Sequence, residues 1–274
     1  MKEVYDEISF RISKLATVAY STSFSLGIKV FNKRFHYPIY GIYGFVRLAD
    51  EIVDTFHAYD KEALLRKFKK DTYDSLEMGI SLNPVLNSFQ HVVNRYGIDR
   101  ELIDTFLLSM EMDLDKKTYD QHGYEKYILG SAEVIGLMCL RVFLEGDDKK
   151  YHELRDHAMS LGSAFQKINF LRDLKADYKT LGRTYFPGID LDNFDDTDRS
   201  TIEEDIEKDF RHGYEGIRKL PSGVRRGVYI AYVYYYSLFR KIRNTSTTKL
   251  LNKRIRIPDA KKYWLLLISW FRIR

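Results

Sequence analysis

Apolar residues recur at intervals of three and four along most of this chain, and no long stretch alternates with a period of two. That pattern commits the backbone to amphipathic helices, because only a 3.6-residue repeat brings such positions onto one face. Leu64, Leu65, Phe68, Thr72 and Leu76 form one stripe; Leu102, Ile103, Phe106, Leu107, Met110 and Leu114 form another, with Asp99 placed as its N-cap. Residues 147–178 read as one long helix, uninterrupted by proline. Breaks are expected at 20–25, 83–84, 96–97, 182–188 and 220–223, where Gly, Pro, Asn and Ser gather. The expected class is all-α, with about eight to ten helices around one core.

With five prolines in 274 residues and no Gly/Ser-rich linker, no boundary divides the chain, so 1–274 is expected to be a single domain. Cys139 is the only cysteine, which excludes an intrachain disulfide and suits a reducing cytoplasm. Acids interrupt the apolar positions of the first residues, unlike a signal peptide. The apolar run Trp264–Phe271 is far shorter than the ~20 residues of a spanning helix. Residues 240–274 carry eleven Lys/Arg against Asp259 alone, a charge of +10; the whole chain is +5, so residues 1–239 carry −5. An acidic body with a basic tail is not the footprint of a nucleic-acid binder, and no nucleic acid partner is expected. The basic amphipathic tail, about 257–274, holds Trp264 and Trp270 between Lys261, Lys262, Arg272 and Arg274. That composition suits peripheral contact with an anionic bilayer, the inner face of the cell membrane for a cytoplasmic protein; the plainer reading is a last helix docked on the core.

Two acidic stripes stand out. Asp50 and Asp54 are four apart, so on a helix they stack about 6 Å apart on one face. Asn169, Asp173 and Asp177 repeat that spacing over two turns. The surrounding positions are apolar, and an inward acidic stripe needs cations, because buried unpaired carboxylates are costly. Carboxylate and amide oxygens select a hard cation such as magnesium, which typically bridges a few carboxylates to a substrate phosphate. Arg47, Arg172 and Arg183 flank the stripes as candidate clamps for a diphosphate. Tyr43 is the aromatic face best placed to stabilise a cation nearby.

The two motifs resemble those of the squalene/phytoene synthase family, the head-to-head prenyltransferases. The family's first motif is matched by Tyr43, Arg47, Asp50, Glu51 and Asp54, and its second by Gln166, Asn169, Arg172, Asp173, Asp177, Gly182, Arg183, Tyr185 and Pro187. "YSTSF" (20–24) resembles the family's diphosphate-contacting serine segment, and "YILGSAEVIGLM" (127–138) its Val-Ala-Gly helix. The C-terminal elements match at Tyr236 and Arg254. Thr22, Leu129 and Glu133 depart from the family's usual basic residue, tyrosine and glycine.

The resemblance implies an isoprenoid synthase fold, a helical bundle around a central active-site cavity. It implies magnesium, with manganese as a substitute, held by Asp50, Asp54, Asn169, Asp173 and Asp177. Ser21, Ser23, Gln166, Arg47, Arg172, Arg183, Tyr236 and Arg254 would bind substrate diphosphate. The expected activity is condensation of two geranylgeranyl diphosphates to phytoene, for carotenoid biosynthesis, through a cyclopropyl diphosphate. The alternatives are a squalene or dehydrosqualene synthase acting on two farnesyl diphosphates, with NADPH needed only for squalene, and a catalytically silent scaffold relative. The retained metal-ligand pattern argues against the last.

Overall fold

A computed structural model describes residues 1–115, 118–176, 185–190, 193–251 and 254–257, with the backbone alone for 22, 23, 115, 175 and 176. Twelve α-helical segments are among them: α1 Lys2–Tyr20, α2 Thr22–Val30, α3 His36–Asp54, α4 Lys61–Met78, α5 Pro84–Tyr96, α6 Arg100–Asp115, α7 Gln121–Ile128, α8 Val134–Leu144, α9 Asp148–Ala176, α10 Asp196–Lys219, α11 Ser222–Arg243 and α12 Thr247–Leu250. No β-strand is among the described elements. The count exceeds the eight to ten expected because of how short pieces divide. α1 and α2 are separated by Ser21 alone, α7 runs into α8 through a π turn at Leu129–Glu133, and α12 is a single turn.

The breaks have local causes. Asn83 accepts from the backbone N–H of Val85 at 3.0 Å, with Pro84 in the first turn of α5, and Gly97 closes that helix at φ 60°, where a side chain would strain the backbone. α6 starts directly after Asp99. At the end of α11, buried Arg199 from α10 donates to the carbonyls of Ile242 (2.8 Å) and Arg243 (2.7 Å), groups that the helix itself leaves without partners.

α3 crosses α1 and α5, α8 packs on α9, and α10 lies along α9. One buried cluster draws on α2 to α6 and α8, through residues such as Ile28, Ile42, Phe45, Phe89, Phe106 and Met138. A second draws on α7 and α9 to α11, through Ile168, Leu171, Phe210 and Phe239. The stretch Gln121–Leu144 is long and apolar enough to cross a membrane by length and composition, which makes it a longer apolar element than the C-terminal run. Here it is mostly buried, packed on α6 and α9.

Candidate active site

A cavity of about 300 Å³ takes its walls from α2, α3, the π turn with α8, α9, α10 and α11. Most of the lining is apolar, from Ile28, Phe31, Ile39, Leu140, Phe143 and Ile217 among others. Its polar groups include Asp50, Gln166, Asn169, Tyr43 and Tyr235. Along α9 the lining runs from Leu154 to Asn169. Fifteen residues of helix span about 22 Å, so the polar end and the apolar far end are about that far apart.

Both stripes foreseen from the sequence are helical as far as they are described. Asp50 and Asp54 lie on the last turns of α3, Asn169 and Asp173 on the last turns of α9; Asp177 and Arg183 lie outside the described residues. Asp50 keeps 31% of its side chain accessible, but it lines the cavity. Burial, then the nearby Asp54, push its carboxyl up to about 8, while Arg47 pulls the other way. Arg47 pairs with Glu51 and reaches Asp50 at 3.8 Å, its guanidinium lying 4.2 Å from the centre of the Tyr20 ring. Asp173 is held by two arginines: Arg172 at 2.6 Å and Arg254, whose Nε is 2.6 Å from Oδ1. Asn169 interacts with the Tyr235 hydroxyl, while its Oδ1 is buried with no hydrogen-bond partner.

Tyr43 lines the cavity with its ring stacked on Phe24, centroids 3.6 Å apart, and burial drives its hydroxyl pKa far above the ordinary range. Gln166 is on the wall one turn from Asn169. Ser21 caps α2, its oxygen accepting from the N–H of Phe24 at 3.3 Å. The side chain of Ser23 lies outside the described atoms.

Tyr236 corrects an expectation. Its hydroxyl donates to Glu207 at 3.0 Å and its ring stacks on Tyr232, so it faces α10 rather than the cavity. A helix turns about 100° per residue, and it is Tyr235 that the same helix presents to the cavity, against Phe165 at 4.0 Å. Tyr185, matched within the second motif, is buried and stacked on Phe170 at 4.0 Å, which anchors the chain where it returns after α9.

Asp113 on α6 was not foreseen. It is 5% exposed, accepts from the Tyr127 hydroxyl at 2.8 Å, and its charge helps to raise Asp50. The available signal was its position, three residues after Met110 on an otherwise apolar stripe.

A buried Asn169 Oδ1 with no hydrogen-bond partner and an Asp50 carboxyl destabilised as an anion are what a hard divalent cation would relieve, so the donor set fits one. Among the described residues, no three carboxylate, histidine or cysteine side chains converge closely enough to hold it alone.

The chain matches the squalene/phytoene synthase family over residues 17–261. It belongs to that family. The enzyme is therefore of the prenyltransferase type. It is 24% identical to a phytoene synthase of Arthrospira platensis, over 97% of this chain and 94% of the relative. It is 25% identical to a 15-cis-phytoene synthase of Synechocystis sp., over 97% of this chain and 86% of the relative. In fold it resembles a dehydrosqualene synthase crystallised with a ligand, with a TM-score of 0.82 at 22% identity, covering 97% of this chain and 96% of that one. A squalene synthase from Alicyclobacillus acidocaldarius superposes with a TM-score of 0.75 at 20% identity, over 91% of this chain and 97% of that one. These likenesses establish the isoprenoid synthase fold of an all-α family. The reaction class that the family carries is head-to-head condensation of prenyl diphosphates.

Proposed function

We propose that this prenyltransferase joins two molecules of geranylgeranyl diphosphate head to head and releases phytoene. The observation that carries the chain length is the cavity wall along α9. From C–C bonds of about 1.5 Å, an extended isoprene unit of four bonds advances roughly 5 Å, so four units need about 20 Å and three about 15 Å. The wall of about 22 Å leaves room for four. The full-length similarity to two phytoene synthases supports the same reading.

In this reading Asp50, Asp54, Asn169, Asp173 and Asp177 hold magnesium, and Arg47, Arg172, Arg183 and Arg254 clamp diphosphate, with Ser21, Ser23 and Gln166 adding hydrogen bonds. Magnesium held by these residues would supply Lewis-acid neutralisation of the charge on the departing diphosphate. The protein's own arginines do the same from fixed positions, in a site that excludes water. The C1–O bond of the first substrate breaks, and its electron pair leaves with diphosphate. The allylic cation, beside the stacked faces of Tyr43 and Phe24, is attacked by the double bond of the second substrate. Proton loss closes the cyclopropane. The second C–O bond then breaks, the skeleton rearranges, and loss of another proton gives the linear product. The apolar walls keep water from quenching either cation.

The basic tail, outside the described residues from 258 onward, would rest on the inner face of the cell membrane in a cytoplasmic enzyme. The alternative substrate is farnesyl diphosphate, giving dehydrosqualene or, with NADPH, squalene. Incubation of the purified protein with each diphosphate, with and without NADPH, followed by mass spectrometry, decides. Phytoene formed without nicotinamide is expected; squalene formed only with NADPH would overturn the assignment.

A further inference from the structure

Two pairs of stacked rings border the cavity. Tyr43 and Phe24, from α3 and α2, are the pair beside the first cation. The second pair is Phe165 on α9 and Tyr235 on α11, with centroids 4.0 Å apart and planes 14° from parallel. Both of these residues line the cavity, and both are only partly buried. That separates them from a packing stack such as Phe45 on Phe89, whose rings are 3.8 Å apart and wholly buried in the core. Packing alone fills the interior with aromatic rings; it gives no reason for a second stack on the wall of the space where cations form.

Two contacts fix the depth of this pair. Phe165 precedes Asn169 by one helical turn, about 6 Å along α9. Tyr235 is tied to Asn169 directly: the two side chains share a hydrogen bond, and because Asn169 Oδ1 has no partner, the amide N–H donates to the tyrosine oxygen. Phe210 from α10, itself wholly buried, stands 6.3 Å from Phe165 and supports that ring. Tyr43 and Tyr235 act on one another electrostatically, so the two stacks border one space. A substrate whose diphosphate sits at Asn169 has its reacting carbons just beyond the diphosphate oxygen, at the level of Phe165.

We propose that Phe165, backed by Tyr235, is the aromatic face that stabilises the cation formed when the second C–O bond breaks. The negative face of an aromatic ring attracts a cation within about 6 Å of its centroid. Phenylalanine suits the place, because it offers that face and no nucleophilic atom for the cation to alkylate; the one hydroxyl of the pair is engaged with Asn169. The first cation is consumed where it forms, as the double bond of the second substrate attacks it. The second has further to go. Its electron pair leaves with diphosphate, the cyclopropane opens as a C–C bond shifts, and the charge moves along the skeleton until a proton passes to the departed diphosphate. That migration needs an electron-rich face at the reacting carbons in addition to the one beside Tyr43. The inference rests on the head-to-head reaction class and is independent of which chain length is used.

The test is single-turnover kinetics of the full chain with magnesium and farnesyl or geranylgeranyl diphosphate, quenched and analysed by mass spectrometry for the cyclopropyl diphosphate and for hydrocarbon. Phe165→Leu is expected to form the cyclopropyl diphosphate at the wild-type rate and to convert it about tenfold more slowly, so that the intermediate accumulates. Phe165→Trp should restore conversion, because indole is the stronger face. If leucine lowers the melting temperature, mono-, di- and trifluorinated phenylalanine at position 165 keep the shape and weaken the face, and conversion should slow with each added fluorine while formation does not. Conversion unchanged in Phe165→Leu, both steps slowed alike, or no trend with fluorination overturns the inference. A wild type that makes no cyclopropyl diphosphate from either substrate overturns the reaction class and the inference with it, whereas formation from farnesyl diphosphate alone overturns only the chain length.

Discussion

Arg254 Nε lies 2.6 Å from Asp173 Oδ1, joining the C-terminal segment to the end of α9 across 81 residues of sequence. The same carboxylate is held by Arg172 from its other side. The two guanidinium groups that hold this carboxylate stand beside it for an incoming diphosphate.

Arg254→Ala is therefore expected to lower kcat/KM for the prenyl diphosphate by roughly ten- to hundredfold, the scale of one lost charge-assisted contact of about 1.5–3 kcal/mol. Arg254→Lys should recover only part of it, because an ammonium lacks the planar fork. Steady-state kinetics on the two variants checks this; equal, wild-type values for both would show that Arg254 does not act at the site.

The cavity requires close helix contacts. A Cβ on Gly227 would stand 2.3 Å from the Phe31 ring and 2.6 Å from the Gly27 carbonyl oxygen, at the crossing of α11 and α2. Gly227→Ala should cost about 1–3 kcal/mol of stability. Differential scanning calorimetry should register it as a fall of several degrees in Tm.

Ala158 lines the cavity on α9, eleven residues before Asn169 and so about 16 Å from it along the helix. That depth falls within the fourth isoprene unit but beyond the third. Ala158→Phe should raise the ratio of farnesyl to geranylgeranyl turnover at least about tenfold, in line with the cost of a steric change in an apolar pocket. A ratio that does not move would place the prenyl tail elsewhere.

Glu133 stands on the π turn Leu129–Glu133. Burial, reinforced by Asp209 and opposed by Lys167, pushes its carboxyl up to about 7. Lys167 is itself paired with Asp205 and with Asp209, the latter at 2.7 Å, and Ser163 donates to Asp209 at 2.8 Å. A raised folded-state value means that the native protein holds a proton the unfolded chain has released. This contribution to stability is complete below the ordinary glutamate pKa and is lost as pH rises to about 7. Glu133→Gln mimics the protonated form, so its advantage in Tm over the wild type should widen from pH 5 to pH 8. A gap that is the same at both pH values would contradict the assignment.

The helical class and the two polar stripes were legible in the sequence because each rests on a local repeat: apolar spacing for the helices, and oxygen-bearing side chains four apart at Asp50/Asp54 and Asn169/Asp173. Tyr235 and Asp113 were not. Which of two adjacent tyrosines faces the cavity depends on the rotation of α11 about its axis, which packing against α2 and α10 fixes. Asp113 acts on Asp50 through its charge from α6, a helix whose own periodicity signals only core.

The central claim is that the facing stripes of α3 and α9 carry cation-assisted departure of diphosphate. The most direct measurement is single-turnover release of diphosphate from geranylgeranyl diphosphate by Asp50→Asn and by Asp173→Asn at saturating magnesium, with circular dichroism as the check on folding. Removing one element of such electrostatic stabilisation is predicted to slow release by roughly 10³-fold or more, with helix content unchanged and chelation of the metal giving the same loss in the wild type. Release near the wild-type rate by either folded variant would contradict the account.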